Sequence, residues 1–221
     1  MSDTLTTAPV SIMNQNPGTD VTPRSALHFS QSAEQPVFGP GQARVFLWED
    51  ALQGQFILRG DAGTKAFADG IETALGLVLP DRLSSSVSDQ LALMWLSPDE
   101  WLLLCALDQT FAIETRLRDV LSGHYSIINV SGGQTQIRLS GSSATEVLQK
   151  SIPYDVSDRQ FPVGKVVSTA LAKTQATVRR ISDTDWELTV RRSFADYAWR
   201  WLTDASREYG LHLGPPNHNE S

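Results

Sequence analysis

The side chains best suited to chemistry in this chain are two arginine pairs, Arg179-Arg180 and Arg191-Arg192. A guanidinium offers a planar fork of donors that matches a carboxylate or phosphate. The second pair runs through Ser193 toward an expected helix N-terminus, where free backbone N–H groups favour an anion. Arg191 and Arg192 are therefore candidate anion-site residues. The competing reading is ion pairing with Asp183, Asp185 and Glu187, which lie close in sequence. Other chemistry finds no support in residue spacing. The four histidines, His28, His124, His212 and His218, share no helical face, and none stands at ligand spacing from the single cysteine, Cys105. Cys105 falls in an apolar run, where a thiol behaves as a small inert hydrophobe. No serine occupies a Gly-x-Ser-x-Gly elbow, and neither Gly39-Pro40-Gly41 nor Ser131-Gly132-Gly133 extends into a phosphate-cradling glycine pattern. The expectation is a chain without catalytic, cofactor-binding or metal-binding residues.

The elements around these residues repeat. Trp95-Leu96-Ser97-Pro98-Asp99-Glu100-Trp101-Leu102-Leu103-Leu104 reads as a strand, a polar turn and a second, buried strand. The same order of an apolar end, serine, acidic turn, tryptophan and strand returns from Arg180 to Val190, around Trp186. Phe67, Ile71, Ala74 and Leu75 give a helix over 64–75 that stops at Gly76. Asp108 reads as the N-cap of a second helix carrying Ile113, Leu117, Val120 and Leu121, and Ser143 with Glu146 as a capping box for a third. Ser193 reads as the cap of the last helix, with Phe194, Tyr197, Ala198, Trp201, Leu202 and Ala205 on its buried stripe. Residues 135–140 and 186–191 alternate apolar with polar, the pattern of half-buried strands. The fold class expected is α+β, in two pseudo-repeated β-α-β-β-α halves of about 80 residues each. The halves span 44–123 and 124–210; the alternative is two unrelated α+β units with similar turns.

Residues 1–43 are rich in Ser, Thr, Gln, Pro and Gly and read as a flexible N-terminal extension, and 211–221 as a polar tail. Leu27, Phe29 and Phe38 are expected to dock on a partner, and Trp199, off the apolar stripe, to anchor one from an exposed position. A net charge of −7 disfavours nucleic acid. No apolar run reaches the ~20 residues that span a bilayer, so no membrane association is expected. No secretory signal is visible, and a cytoplasmic location is the simplest expectation.

Several stretches, taken in order, resemble the gamma subunit of heterotetrameric sarcosine oxidase. They are Leu58-Arg59-Gly60-Asp61, Leu75-Gly76-Leu77-Val78-Leu79-Pro80, the run from Trp95 to Leu104, Arg138-Leu139-Ser140-Gly141, Phe161-Pro162-Val163-Gly164 and Arg192-Ser193-Phe194-Ala195-Asp196-Tyr197. The chain departs from that family at Asn129-Val130-Ser131-Gly132-Gly133-Gln134, where a His-Gly-Arg-like run is usual. It departs again at Ser151-Ile152-Pro153-Tyr154-Asp155, which lacks the usual cysteine although Lys150 remains. The resemblance implies a fold like the folate-binding domain of aminomethyltransferases. It implies alpha, beta and delta partner subunits that hold FAD, FMN, NAD, tetrahydrofolate and zinc, none of them in this chain. It also implies a complex that oxidatively demethylates sarcosine to glycine with a folate one-carbon acceptor. The alternative is a free-standing folate-binding protein of aminomethyltransferase type, active in one-carbon transfer.

Overall fold

Successive side chains of a strand point to opposite faces, so the apolar positions decide where each strand meets a helix. A computed structural model describes residues 23–30 and 42–216; Phe38, His218 and the expectations for residues 1–22 lie outside them. In β2 (Gln53–Gly60), Phe56 and Leu58 share one face with Trp101, Leu103 and Cys105 of β5 (Glu100–Ala106). Helices α1 (Lys65–Leu75) and α2 (Thr110–Val120) cover that face through Phe67, Ile71, Ile113 and Leu117. The opposite face carries Leu102 and Leu104, which join Ala92 and Met94 of β4 (Ala92–Ser97) against Val166 of β8 (Val166–Leu171). Strands β3 (Ser85–Val87) and β6 (Tyr125–Asn129) complete this sheet, in the order β3-β4-β5-β2-β6.

The second sheet runs β11-β1-β7-β10-β9-β8. Its members besides β8 are β1 (Val45–Asp50), β7 (Gln134–Ser140), β9 (Thr174–Arg180), β10 (Asp185–Arg191) and β11 (Leu211–Leu213). Val45, Leu47, Ile137, Leu139, Trp186, Leu188 and Val190 face α3 (Ala144–Ser151) and α4 (Ala195–Ser206). The layers are thus helices, sheet, sheet, helices, a mixed α+β architecture. The sheets are also tied edge to edge, since the Val166 N–H donates to the Leu83 carbonyl at 3.0 Å. β1 and β2 follow one another through a turn with Leu52 at φ 60°, yet they enter different sheets. β1 pairs with β7, and β6 pairs with β2. Gly141 makes the entry to α3 feasible: at φ 114°, a Cβ there would sit 2.3 Å from the Arg44 carbonyl oxygen.

Several local expectations are corrected. α2 and α4 are each preceded by a 3-10 turn, Leu107–Gln109 and Arg192–Phe194, which moves their N-caps to Gln109 and Phe194. Asp108 and Ser193 therefore sit inside turns and make no cap. Ser143 is the N-cap of α3 but makes no side-chain capping bond, so the box with Glu146 does not form. β7 and β10 are covered on both faces rather than half-buried, because the first sheet lies over their polar side: Gln136 is 1% exposed and Glu187 3%. Gly76, in contrast, closes α1 in the left-handed conformation as expected, its N–H donating to the Glu72 carbonyl.

Leu27 and Trp199 are corrected most. Leu27 is fully buried in the chain's own core rather than offered to a partner. Trp199 is 5% exposed and packs in the same cluster, whereas Trp201 is 37% exposed. The buried stripe of α4 is Ala195, Ala198, Trp199, Leu202 and Ser206, rotated from the aromatic positions that suggested Phe194 and Trp201. Small residues let the helix lie close to the sheet, and Trp199 fills the remaining space. Trp199→Ala is accordingly expected to lower the unfolding free energy by about 3–5 kcal/mol. Urea titration of the purified chain measures it, with Trp201→Ala costing less than half as much.

Candidate functional site

The first arginine pair is built into the structure. Arg179 and Glu187 face each other across β9 and β10, and both are nearly buried. The guanidinium donates from Nε to Glu187 Oε1 and from Nη2 to Oε2, each at 3.1 Å. A buried charge is tolerated when it is paired in this bidentate way. Arg180, on the other face, donates to the carbonyls of Phe161 at 2.8 Å, Asp183 at 2.9 Å and Ser182 at 3.1 Å, and pairs with Asp158 at 2.7 Å. Its guanidinium lies over the Trp186 ring, 5.1 Å from the centroid, and that ring meets Phe161 edge-on. Glu187 thus pairs with an arginine close in sequence, as the ion-pairing reading expects, while Asp185 accepts from the Ser182 hydroxyl instead.

Arg191 and Arg192 behave differently. Both are exposed, at the end of β10 and the start of the 3-10 turn before α4. Arg192 Nη2 donates to the carbonyls of Arg24, at 3.2 Å, and Ser25, at 3.5 Å. At the far end of the same seam the Ser30 hydroxyl donates to Asp196 Oδ1 at 2.8 Å. Leu27, between these contacts, is the buried plug. Residues 23–30 are thereby laid along the start of α4, and Phe29, 81% exposed, is carried on the outside. The short run Ser25-Ala26-Leu27-His28-Phe29 is the available sequence signal for this docking; its polar surroundings hide how firmly the segment belongs to the fold.

Between the sheets lies a cleft of about 360 Å³, lined by Arg138, Asp50, Arg179, Glu187, Asp89 and Cys105 among others. The Arg138 guanidinium lies over Trp48 and is 3.7 Å from Asp50. Its Nε is buried without a hydrogen-bond partner, as are Gln55 Oε1, Gln136 Nε2 and Thr189 Oγ1 on the inner sheet faces. Composition gives no sign of this polar layer, because it forms only when the two sheets meet. Cys105 is 1% exposed, and burial, with Asp108 adding to it, pushes its thiol up to about 11. Among the described residues no group of three or more His, Cys, Asp or Glu stands close enough to hold a metal. His124 and His28 are exposed, and His212 lies edge-on to Phe46.

Two stacked sheets with helices outside make this a four-layered α+β fold. The glycine cleavage system aminomethyltransferase T of Bartonella henselae superposes with a TM-score of 0.55 over 77% of this chain and 48% of that one, at 14% identity, a likeness of fold alone. Residues 59–208 match the model of the sarcosine oxidase, gamma subunit family, and the chain belongs to that family. It is 31% identical to the sarcosine oxidase subunit gamma of Corynebacterium sp. (strain U-96) over 76% of this chain and 82% of that protein. It is 31% identical to the one from Arthrobacter sp. over 80% and 87%. A chain of the heterotetrameric sarcosine oxidase from Corynebacterium sp. U-96 superposes with a TM-score of 0.77 at 28% identity, over 85% of this chain and 96% of that chain.

The state of Cys105 yields a prediction in two parts. At pH 8 the native chain should react with a thiol reagent at least about a hundredfold more slowly than the denatured chain, since thiolate is scarce and enclosed. The folded thiol titrates above its ordinary value of 9.0, so its contribution to stability is present below pH 9 and is lost as pH rises toward about 11. The loss of stability over that window should be shallower in Cys105→Ala, as denaturant titration at several pH values would show.

Proposed function

We propose that this chain serves as the gamma subunit of a heterotetrameric sarcosine oxidase without carrying the catalytic groups of the complex. The observation that carries this is the family match joined to a superposition that covers 96% of a chain of such a heterotetramer. The free-standing folate-binding reading rests only on the aminomethyltransferase fold, which is shared at 14% identity. On the reading adopted, FAD, FMN, NAD, tetrahydrofolate and zinc belong to the alpha, beta and delta subunits, and the reaction is oxidative demethylation of sarcosine to glycine. The subunit acts in the cytoplasm; no described helix is long and apolar enough to cross a membrane. Residues 23–30 are joined to the core where Leu27 docks.

The two halves are read as copies of one plan. The orders β3-β4-β5-β2-β6 and β8-β9-β10-β7-β1 correspond position by position. Trp101 and Trp186 each stand second in a seven-residue strand followed by a 3-10 turn and a helix. On this reading the duplicated frame presents surface to partners and has no need of a reaction centre of its own.

Co-expression supplies the test. With the other three subunits the chain should copurify in a fixed ratio. Purified alone it should show no flavin absorbance and no peroxide release from sarcosine. Turnover of sarcosine, or one-carbon transfer to tetrahydrofolate, by the isolated chain would contradict the reading.

A further inference from the structure

The seam between residues 23–30 and the start of α4 borders a groove of about 250 Å³. Arg24 and Arg192 line it, together with the apolar Ala26, Leu52 and Leu107, and among the described residues no carboxylate does. In a chain of net charge −7, that is a local reversal of sign. Arg192 uses Nη2 on the carbonyls of Arg24 and Ser25. Among the described residues nothing else bonds its guanidinium or the exposed Arg24 side chain. Gln134, also in the lining, has a buried Oε1 that accepts no hydrogen bond. Beyond the groove the surface continues in exposed apolar side chains: Leu52 is 40% exposed, Phe194 45% and Phe29 81%. The contacts of Arg192 with residue 24 and of Ser30 with Asp196 place Phe29 and Phe194 along the same seam.

We propose that this groove receives an acidic, partly apolar segment of a partner subunit, a proposal that rests on the subunit reading above. Each part of such a segment finds its complement. A carboxylate meets the Arg24 and Arg192 guanidiniums, and an apolar side chain lies against Leu52 and Leu107. A small free anion satisfies the arginines but makes no use of the exposed apolar surface at Leu52 and Phe194, and aromatic and arginine side chains together are the usual anchors of protein interfaces. Nucleic acid is disfavoured by the sparse positive charge.

The test uses the reconstituted complex. Arg24→Glu is the primary variant, because its side chain supports none of the contacts that hold residues 23–30. The apparent Kd for the other subunits should rise about tenfold, and about a hundredfold with Arg192→Glu added. Salt sensitivity of assembly should fall in both. The thermal midpoint of isolated Arg24→Glu should match wild type; if Arg192→Glu disturbs folding, Arg24→Glu decides alone. Unchanged assembly of a folded Arg24→Glu chain overturns the proposal while leaving the subunit reading intact. Unchanged assembly together with phosphate stabilising wild type but not Arg24→Glu overturns it in favour of a small-anion site. Failure of the wild-type chain to assemble removes both.

Discussion

The arrangement depends on an exchange of strands between the two sheets. β1 precedes β2 by a short turn but is hydrogen-bonded beside β7, while β6 precedes β7 and is hydrogen-bonded beside β2. Neither sheet is completed by a contiguous stretch of chain. Separating the halves would break the β1–β7, β1–β11 and β2–β6 ladders and expose their strand edges, so the strand pairings hold the layers together before any side chain is counted. Such long-range pairings also make folding slow relative to local structure. Glu49 and Ile137 stand in register across β1 and β7, with the whole of the first sheet lying between them in the chain.

That exchange explains the unusual middle layer. The first sheet turns Leu102, Leu104, Ala92 and Met94 inward, whereas the second turns Gln136, Arg138, Arg179, Glu187 and Thr189 inward. Packing apolar against polar costs free energy, because each unmet buried polar atom loses about 1–3 kcal/mol of hydration. The bidentate Arg179–Glu187 pair offsets part of that cost for two of the inward charged groups. On the outer side Arg180 acts as a clasp, since its contacts to Phe161, Asp158 and Trp186 hold the loop between α3 and β8 against the sheet.

Much of the frame was legible in the chain. The acidic turns before Trp101 and Trp186 and the helix stop at Gly76 carry strong local signals, because turn chemistry and left-handed glycine act within a few residues. The phase of α4 was not legible, since its true stripe uses Ala195, Ala198 and Ser206, whose contribution to periodicity is weak beside Phe194, Tyr197 and Trp201. Strands β1 and β6 were hidden because their partners are remote in sequence. Of the candidate residues, Arg192 does lie on an open surface, but its neighbour in the groove, Arg24, comes from a segment whose composition suggested a loose tail. No local pattern joins residues 24 and 192; the burial of Leu27 and the bond from Arg192 to the Arg24 carbonyl do.

A chain whose Arg179-Arg180 pair and single thiol are both drawn into its architecture is suited to hold and be held, as the proposed subunit role requires. Native mass spectrometry of the complex captured through this chain from its source cells bears most directly on that claim. The expected result is an assembly of four different chains with one copy of this one and flavin bound elsewhere. Recovery of this chain alone, or as a homo-oligomer carrying its own flavin or folate, would contradict it.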